Sequence, residues 1–384
     1  MKNRWLIYGL SSQLIYTVFR QILVLPLLAL VDLNLFTSVS IFLLSADIII
    51  NVAGASQADS YIRQTRGKRN ELKILKQAYQ RALLLMIPIL FGTFFIASNL
   101  ISFLAISLYC LSYSHTLFSQ KIALNDGKLY AIAPDFLIKS LALLIIYYYL
   151  KTAETLDYDE SIIFFVLALC QIFSMFINSK LWNPGLPIFL DIPLKRSISS
   201  LLDKDSLFVP YAMMASLMRG EPLIIGFYFN QRPDVYIYFA FIALSSYLPT
   251  LLANGSSMNY IAQTSKTDIE KILKYIIFFS LVASLIAGWF FAYEISELIY
   301  PKNPIEGGFI LALTIFFVIM TNIMKPKIAL DGHLKTLVIT FMLSLSILLY
   351  FLTFTEITFE IAFFIGASLR ILCTLFSVKR GKHV

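Results

Sequence analysis

Seven ionisable side chains interrupt stretches that are otherwise apolar: Arg20, Asp47, Asp135, Lys139, Arg219, Glu221 and Arg370. At bilayer depth such a group costs roughly 2.5–3.5 kcal/mol, so it normally faces a partner or a water-filled cavity. Their types suggest two kinds of chemistry. A guanidinium presents a planar fork of N–H donors that grips a phosphate or carboxylate bidentately. Arg20 and Arg219, 199 residues apart and each well inside its stretch, are the first candidates for binding an anionic cargo, with Lys139 and Arg370 as further basic contacts. A structural account is equally good: each arginine paired between helices with Asp47 or Glu221. Those two carboxylates are the candidates for holding a coupling proton or sodium ion, against the plainer reading as counter-ions. Arg219 and Glu221 are two residues apart and do not face each other on one helix, so each needs another partner. Asp135 precedes Lys139 by four residues, and a local ion pair accounts for both. Arg370 lies near the end of its stretch and could reach the head-group region by snorkelling.

Covalent chemistry finds little support. The histidines are His115, His333 and His383; none has a Ser, Cys or Asp arrangement that makes a dyad, although Asp331 lies two residues from His333. A membrane glycan polymerase would want a general base in a sizeable surface loop, and no long loop falls on the side where one would hold a sugar chain. A GxxxxGK[ST] phosphate loop is missing. The expectation is a protein that is not an enzyme and uses neither cofactor nor metal. Cys110, Cys170 and Cys373 each fall inside an apolar run and read as buried, unpaired thiols.

The elements that must position the charged residues follow from composition. The chain has 384 residues, 58% hydrophobic and 14% charged, with 33 Phe and 21 Tyr. A soluble domain carries about 25% charged residues, so too little polar surface remains to cover a globule in water. The net charge of +8 comes from basic residues scattered between apolar runs rather than from a patch, which argues against nucleic-acid binding. A bilayer-spanning helix needs about 20 apolar residues. Twelve such spans are expected, near 5–30, 35–56, 82–98, 100–118, 130–150, 161–181, 207–229, 235–254, 273–293, 308–324, 335–353 and 358–377. The third and fourth are so close that they form a tight hairpin around Asn99. The first apolar stretch runs past Arg20 without a small-residue cleavage site, so it reads as an uncleaved span rather than a signal peptide. Twenty-four of the 31 Lys and Arg fall on one side of this layout and only Lys151, Arg232 and Lys302 on the other. By the positive-inside rule the first side is cytoplasmic, with both termini on it. The basic run from Arg63 to Arg81 is expected to touch anionic phospholipids of that leaflet. Pro26, Pro88, Pro210, Pro222 and Pro249 would kink their spans.

Three segments recur half a chain apart. Tyr61-Ile62-Arg63-Gln64-Thr65 matches Tyr260-Ile261-Ala262-Gln263-Thr264; Lys73-Ile74-Leu75-Lys76 matches Lys271-Ile272-Leu273-Lys274; Lys121-Ile122-Ala123-Leu124-Asn125 leads a match with Lys327-Ile328-Ala329-Leu330-Asp331. They keep their order and follow equivalent spans. A repeat of six spans returns the chain to its starting side, so the halves run parallel and can enclose a central cavity. The expected fold is an all-α integral membrane protein of two parallel six-helix bundles, residues 1–182 and 207–384, joined by a cytoplasmic linker at 183–206.

With this layout, the segment from Ser40 through Tyr61-Ile62-Arg63 and the stretch Met218-Arg219-Gly220-Glu221-Pro222, the chain resembles the multidrug/oligosaccharidyl-lipid/polysaccharide exporter superfamily over nearly its whole length. Within it the chain is most similar to the polysaccharide flippase branch. The resemblance implies a bacterial inner-membrane protein that translocates an undecaprenyl-diphosphate-linked oligosaccharide, with H+ or Na+ as a coupling ion. A cation-coupled exporter of drugs or other small molecules is the alternative within the same fold. A slim excess of buried basic over acidic residues favours the anionic cargo.

Overall fold

The computed structural model describes residues 2–65, 72–94, 99–125, 131–152, 158–182, 212, 220–251, 269–331 and 334–381. Helices dominate them, and they follow one another as twelve segments. The first, α1 (2–31), joins Lys2–Val18, a π-helical turn at Phe19–Val24 and Leu25–Val31. Helix α2 (33–65) joins Leu33–Ile49, a second π-turn at Ile50–Ala55 and Ser56–Thr65. Helices α3 (Leu72–Phe94), α4 (Leu100–Asn125), α5 (Ala133–Thr152) and α6 (Glu160–Trp182) complete the first half. The second half has α7 (described over 220–228), α8 (Pro233–Ser245, resuming over 247–251), α9 (269–299), α10 (Phe309–Asp331), α11 (Leu334–Phe354) and α12 (Phe359–Gly381).

Seven described helices are long and apolar enough to cross a bilayer, and α9 makes an eighth if its two limbs, which meet at 73°, count as one span. Their surfaces explain what surrounds them. Leu334–Phe354 has a mean hydropathy of 2.3, yet only 22% of its apolar window is buried by protein. Phe278, Leu298 and Phe354 stand exposed in the same way. In water these would form apolar patches far beyond what soluble proteins tolerate; in lipid they cost nothing. The protein is an integral membrane protein.

Local sequence accounts for several helix ends and bends. Asp32 ends α1 in extended backbone and caps α2 by accepting from the Asn34 amide at 2.7 Å. Asn99 caps α4 by accepting from the Ser102 amide at 2.8 Å, and its amide donates to Ser161 Oγ at 3.1 Å, which ties α4 to α6. Helix α3 begins at Leu72, ten residues earlier than hydropathy alone suggests, because Lys73, Lys76, Gln77 and Gln80 are good helix formers. Among the basic run, Arg81 is buried, so it is turned away from any head group. In α9 a Cβ on Gly288 would come within 2.7 Å of the Ala312 Cα; glycine there permits the close approach of α9 and α10.

The repeated segments occupy matching places: Lys73–Lys76 and Lys271–Lys274 in the first turns of α3 and α9, Lys121–Asn125 and Lys327–Asp331 in the last turns of α4 and α10. The 260–264 segment lies outside the described residues. One apolar cluster runs through both halves, from Val24, Phe36 and Phe42 to Phe241, Ile315 and Phe363. At the end of the bundle holding the α1–α2 and α9–α10 turns, the halves touch directly. Lys302 donates to the Leu30 carbonyl at 2.6 Å, and the buried rings of Phe36 and Tyr300 meet edge-on at 6.3 Å. Closer to the opposite end, Tyr247 on α8 donates to the Gln13 carbonyl on α1 at 2.7 Å.

Candidate functional site

Between these contacts lies a cavity of about 230 Å³. Arg20 and Gln21 from α1 and Leu44 and Asp47 from α2 form one wall. Glu221 and Pro222 from α7, the α8 face from Phe239 to Thr250, Thr314 to Asn322 of α10, and Phe363 to Arg370 of α12 form the other. The polar residues of this lining explain why it stays open: packing side chains across it would bury hydroxyls, amides and charges without partners.

Of the three π-turns among the described residues, those of α1 and α2 bear on the site directly, and the third, Ile286–Phe290 in α9, lies away from it. A π-turn adds a residue to a helical turn and re-aims the side chains that follow, and such turns concentrate at functional sites. In α1 the Leu25 amide donates to the Arg20 carbonyl, five residues back, in the turn that carries Arg20 and Gln21. In α2 the π-turn begins three residues after Asp47, and the Asn51 amide group donates to the Asp47 carbonyl at 2.6 Å.

Arg20 is half-buried. Its guanidinium lies close to Tyr16, one turn back, and in the field of Asp47. Among the described residues no carboxylate oxygen comes within 4.0 Å of it, and its buried Nε has no hydrogen-bond partner. Asp47 likewise faces the cavity without an ion-pair partner among the described residues. Glu221 is different. Arg370 donates to its Oε2 from Nη2 at 2.6 Å and from Nε at 3.1 Å. The two residues are 149 apart in sequence. Snorkelling to a membrane surface is therefore not what Arg370 does; it is held inward by a carboxylate on α7. Arg219 lies outside the described residues.

Lys139 does not line the cavity. It forms the expected pair with Asp135, Nζ to Oδ2 at 2.8 Å, with both side chains buried. Its ammonium also sits 3.3 Å from the centroid of the Tyr113 ring. The second oxygen of Asp135 accepts from Ser174 Oγ at 2.6 Å and from Gln171 Nε2 at 3.2 Å, and Asn178 donates to Ser174 Oγ at 3.2 Å. Lys139, Asp135 and Ser174, with Gln171 and Asn178 donating to them, make this a structural clasp of α5 and α6 inside the first half. Sequence spacing carried a signal for it: Gln171, Ser174 and Asn178 recur at three and four residues, one stripe on an otherwise apolar helix. Thr314, Val318 and Thr321 form a similar stripe on α10, facing the cavity. Of the cysteines, Cys110 and Cys373 are buried and Cys170 is only partly so.

The described lining thus carries Arg20 and Arg370 against Asp47 and Glu221. It is formally neutral. Removing the Asp135–Lys139 pair takes one charge of each sign from the count, and Arg219, the source of the cationic excess expected from sequence, lies outside the described residues.

No family model matches the chain, and no curated protein matches it. Solved structures do. The chain is similar to the outward-facing form of a multidrug resistance MATE family transporter of the MOP superfamily, with a TM-score of 0.62, 10% identity, and coverage of 99% of this chain and 93% of that one. It is similar to a MOP superfamily transporter from Pyrococcus furiosus, described as having a binding pocket of reversed polarity, at 0.59, 11%, 99% and 93%. A mutant of a Vibrio cholerae MATE transporter matches at 0.56, 12%, 100% and 97%. The fold is that of MATE transporters, an all-helical membrane architecture. At 10–12% identity the likeness is one of fold, and it does not single out a flippase branch.

Proposed function

We propose that the protein is a secondary transporter that exports a small organic solute by alternating access of the cavity between two six-helix halves, 1–182 and 207–384. The observation that carries this reading is the cavity itself: it is walled from both halves, and two carboxylates and two guanidiniums face it at membrane depth. Charges at such depth serve substrate or ion pathways. Asp47, with no ion pair of its own, is the carboxylate best placed to take a coupling proton or sodium ion. The MATE neighbours, one of them described as a multidrug resistance transporter, support export of small molecules. The reading places both termini in the cytoplasm of a bacterial inner membrane.

A second reading, flipping of a lipid-linked oligosaccharide, has one specific observation in its favour: the unpartnered Nε of Arg20, which a phosphate oxygen would satisfy. Against it stands the size of the cavity. About 230 Å³ is already below the roughly 300–1,000 Å³ of pockets for drug-sized ligands. Depleting the protein in its bacterial host separates the two. The small-solute reading predicts that cells accumulate more of some amphipathic dyes while their lipid-linked sugar pool is unchanged. Finished lipid-linked repeat units stranded on the cytoplasmic face, with dye levels unaltered, would replace it with the flippase.

A further inference from the structure

Two voids meet at one ion pair. Behind the central cavity is a second space of about 20 Å³, walled by Phe341, Ser344 and Leu348 of α11 and by Gly366 of α12. Glu221 and Arg370 are the residues that line both voids. The pair is a partition between them.

Its geometry is lopsided. Both contacts from Arg370 fall on Oε2 of Glu221. The other oxygen, Oε1, points at Gly366, where a Cβ would overlap it. Glycine at 366 therefore makes the notch in which the carboxylate is parked. A fork-to-fork pair would use both oxygens; this one leaves further N–H donors of Arg370 with no acceptor among the described residues. The Arg370 side chain keeps 14% of its surface accessible, on a cavity lined also by Arg20.

We propose that an anionic group on the cargo takes Arg370 from Glu221, and that Glu221 binds a proton as it is released. This rests on the transport reading above; it names the charge of the cargo and a proton that travels with it, separate from the driving ion assigned there to Asp47. The N–H···O bonds from Arg370 to Oε2 break, equivalent bonds to the anion form, and a proton from water adds to the freed carboxylate. The charge balances: a neutral ion pair becomes an arginine–anion pair beside a neutral acid. Leaving Glu221 ionised instead would strand a buried charge, which costs several kcal/mol. Among the described residues no other neighbour is placed to take over as its counter-ion. Phe341, Ser344 and Leu348 on α11 and Thr314, Thr321 and Asn322 on α10 are uncharged, and α8 offers Tyr247. Arg20 on α1 is the remaining described cation in the cavity, and it lies in the field of Asp47 on α2.

The test uses the full-length protein in detergent, weakly buffered, with a pH-indicator dye. Sulfonates serve as probes because they do not titrate: benzenesulfonate stands for a free solute and geranylsulfonate for a prenyl-linked one. One proton taken up per anion bound is the expected result. Glu221→Gln should bind the anion with no proton uptake and about tenfold more tightly, since a competing state that filled about nine-tenths of the site has been removed. Gly366→Ala, which evicts the carboxylate from its notch, should shift in the same direction. The double variant Glu221→Gln/Arg370→Gln leaves no unpaired charge at the site, and it should fold and lose anion binding. Preference for geranylsulfonate would assign the anion to a lipid carrier, and equal binding to a free solute. Anion binding without proton uptake in the unaltered protein, or uptake that persists in Glu221→Gln, overturns the exchange. If neither sulfonate binds while reconstituted protein still moves a cationic dye, the exchange is wrong and the transport reading stands. If protons and anions bind together but no solute crosses a vesicle membrane, the exchange stands and the transport reading fails.

Discussion

Replacing Lys139 by methionine is expected to destabilise the protein by about 3–5 kcal/mol, the usual penalty for leaving one member of a buried ion pair uncompensated. Asp135 is 1% exposed and would keep only Ser174 and Gln171 as donors. The ammonium's contact with the Tyr113 ring would go as well, adding a smaller loss. Adding Asp135→Asn should recover most of the stability, because an amide oxygen still accepts from Ser174 and Gln171 and no charge remains. The midpoint of thermal unfolding in detergent reads both effects. A single variant as stable as the parent would mean that Lys139 is not the counter-ion, and that the clasp in α5 and α6 is held by hydrogen bonds alone.

The second large effect concerns Arg20. If the cargo is anionic, Arg20→Gln should raise the half-saturating concentration for transport by about 10- to 100-fold, the equivalent of one hydrogen bond to a charged group at roughly 1.5–3 kcal/mol. Arg20→Lys should fall between, since an ammonium keeps the charge and loses the planar fork. Folding should change less than for Lys139→Met, because Arg20 makes no direct ion pair among the described residues. Flux into vesicles as a function of solute concentration measures it. An unchanged half-saturation with lowered stability would make Arg20 a structural residue that serves Tyr16 and Asp47.

The membrane helices were legible in the sequence because hydropathy in lipid is a direct energetic signal: long apolar runs such as 334–354 and 359–377 have no other stable place. The start of α3 was missed for the same reason, since Lys73 and Lys76 depress hydropathy while favouring helix. The Asp135–Lys139 pair was readable because it is local, four residues on one helix. The Glu221–Arg370 pair was not, because nothing in a single sequence says which of several separated charges will meet across 149 positions. Gly366 gave no sign of its role either: one glycine on an apolar helix looks like any packing glycine until the carboxylate beside it is seen. The balance of charge in the cavity could not be counted before the helix faces were known. Arg20 and Lys139 both lie well inside apolar stretches, and of the two only Arg20 lines the space between the halves.

Transport by this protein requires that space to be the path of the cargo. Ala243 on α8 lines it and is small enough for cysteine to replace it. In a background with Cys110, Cys170 and Cys373 changed to alanine, Ala243→Cys should react with a membrane-impermeant thiol reagent applied from either face of reconstituted vesicles, and transported solute should slow the reaction from both. Reaction from one face only, or at a rate indifferent to solute, would contradict a cavity that opens alternately to the two sides.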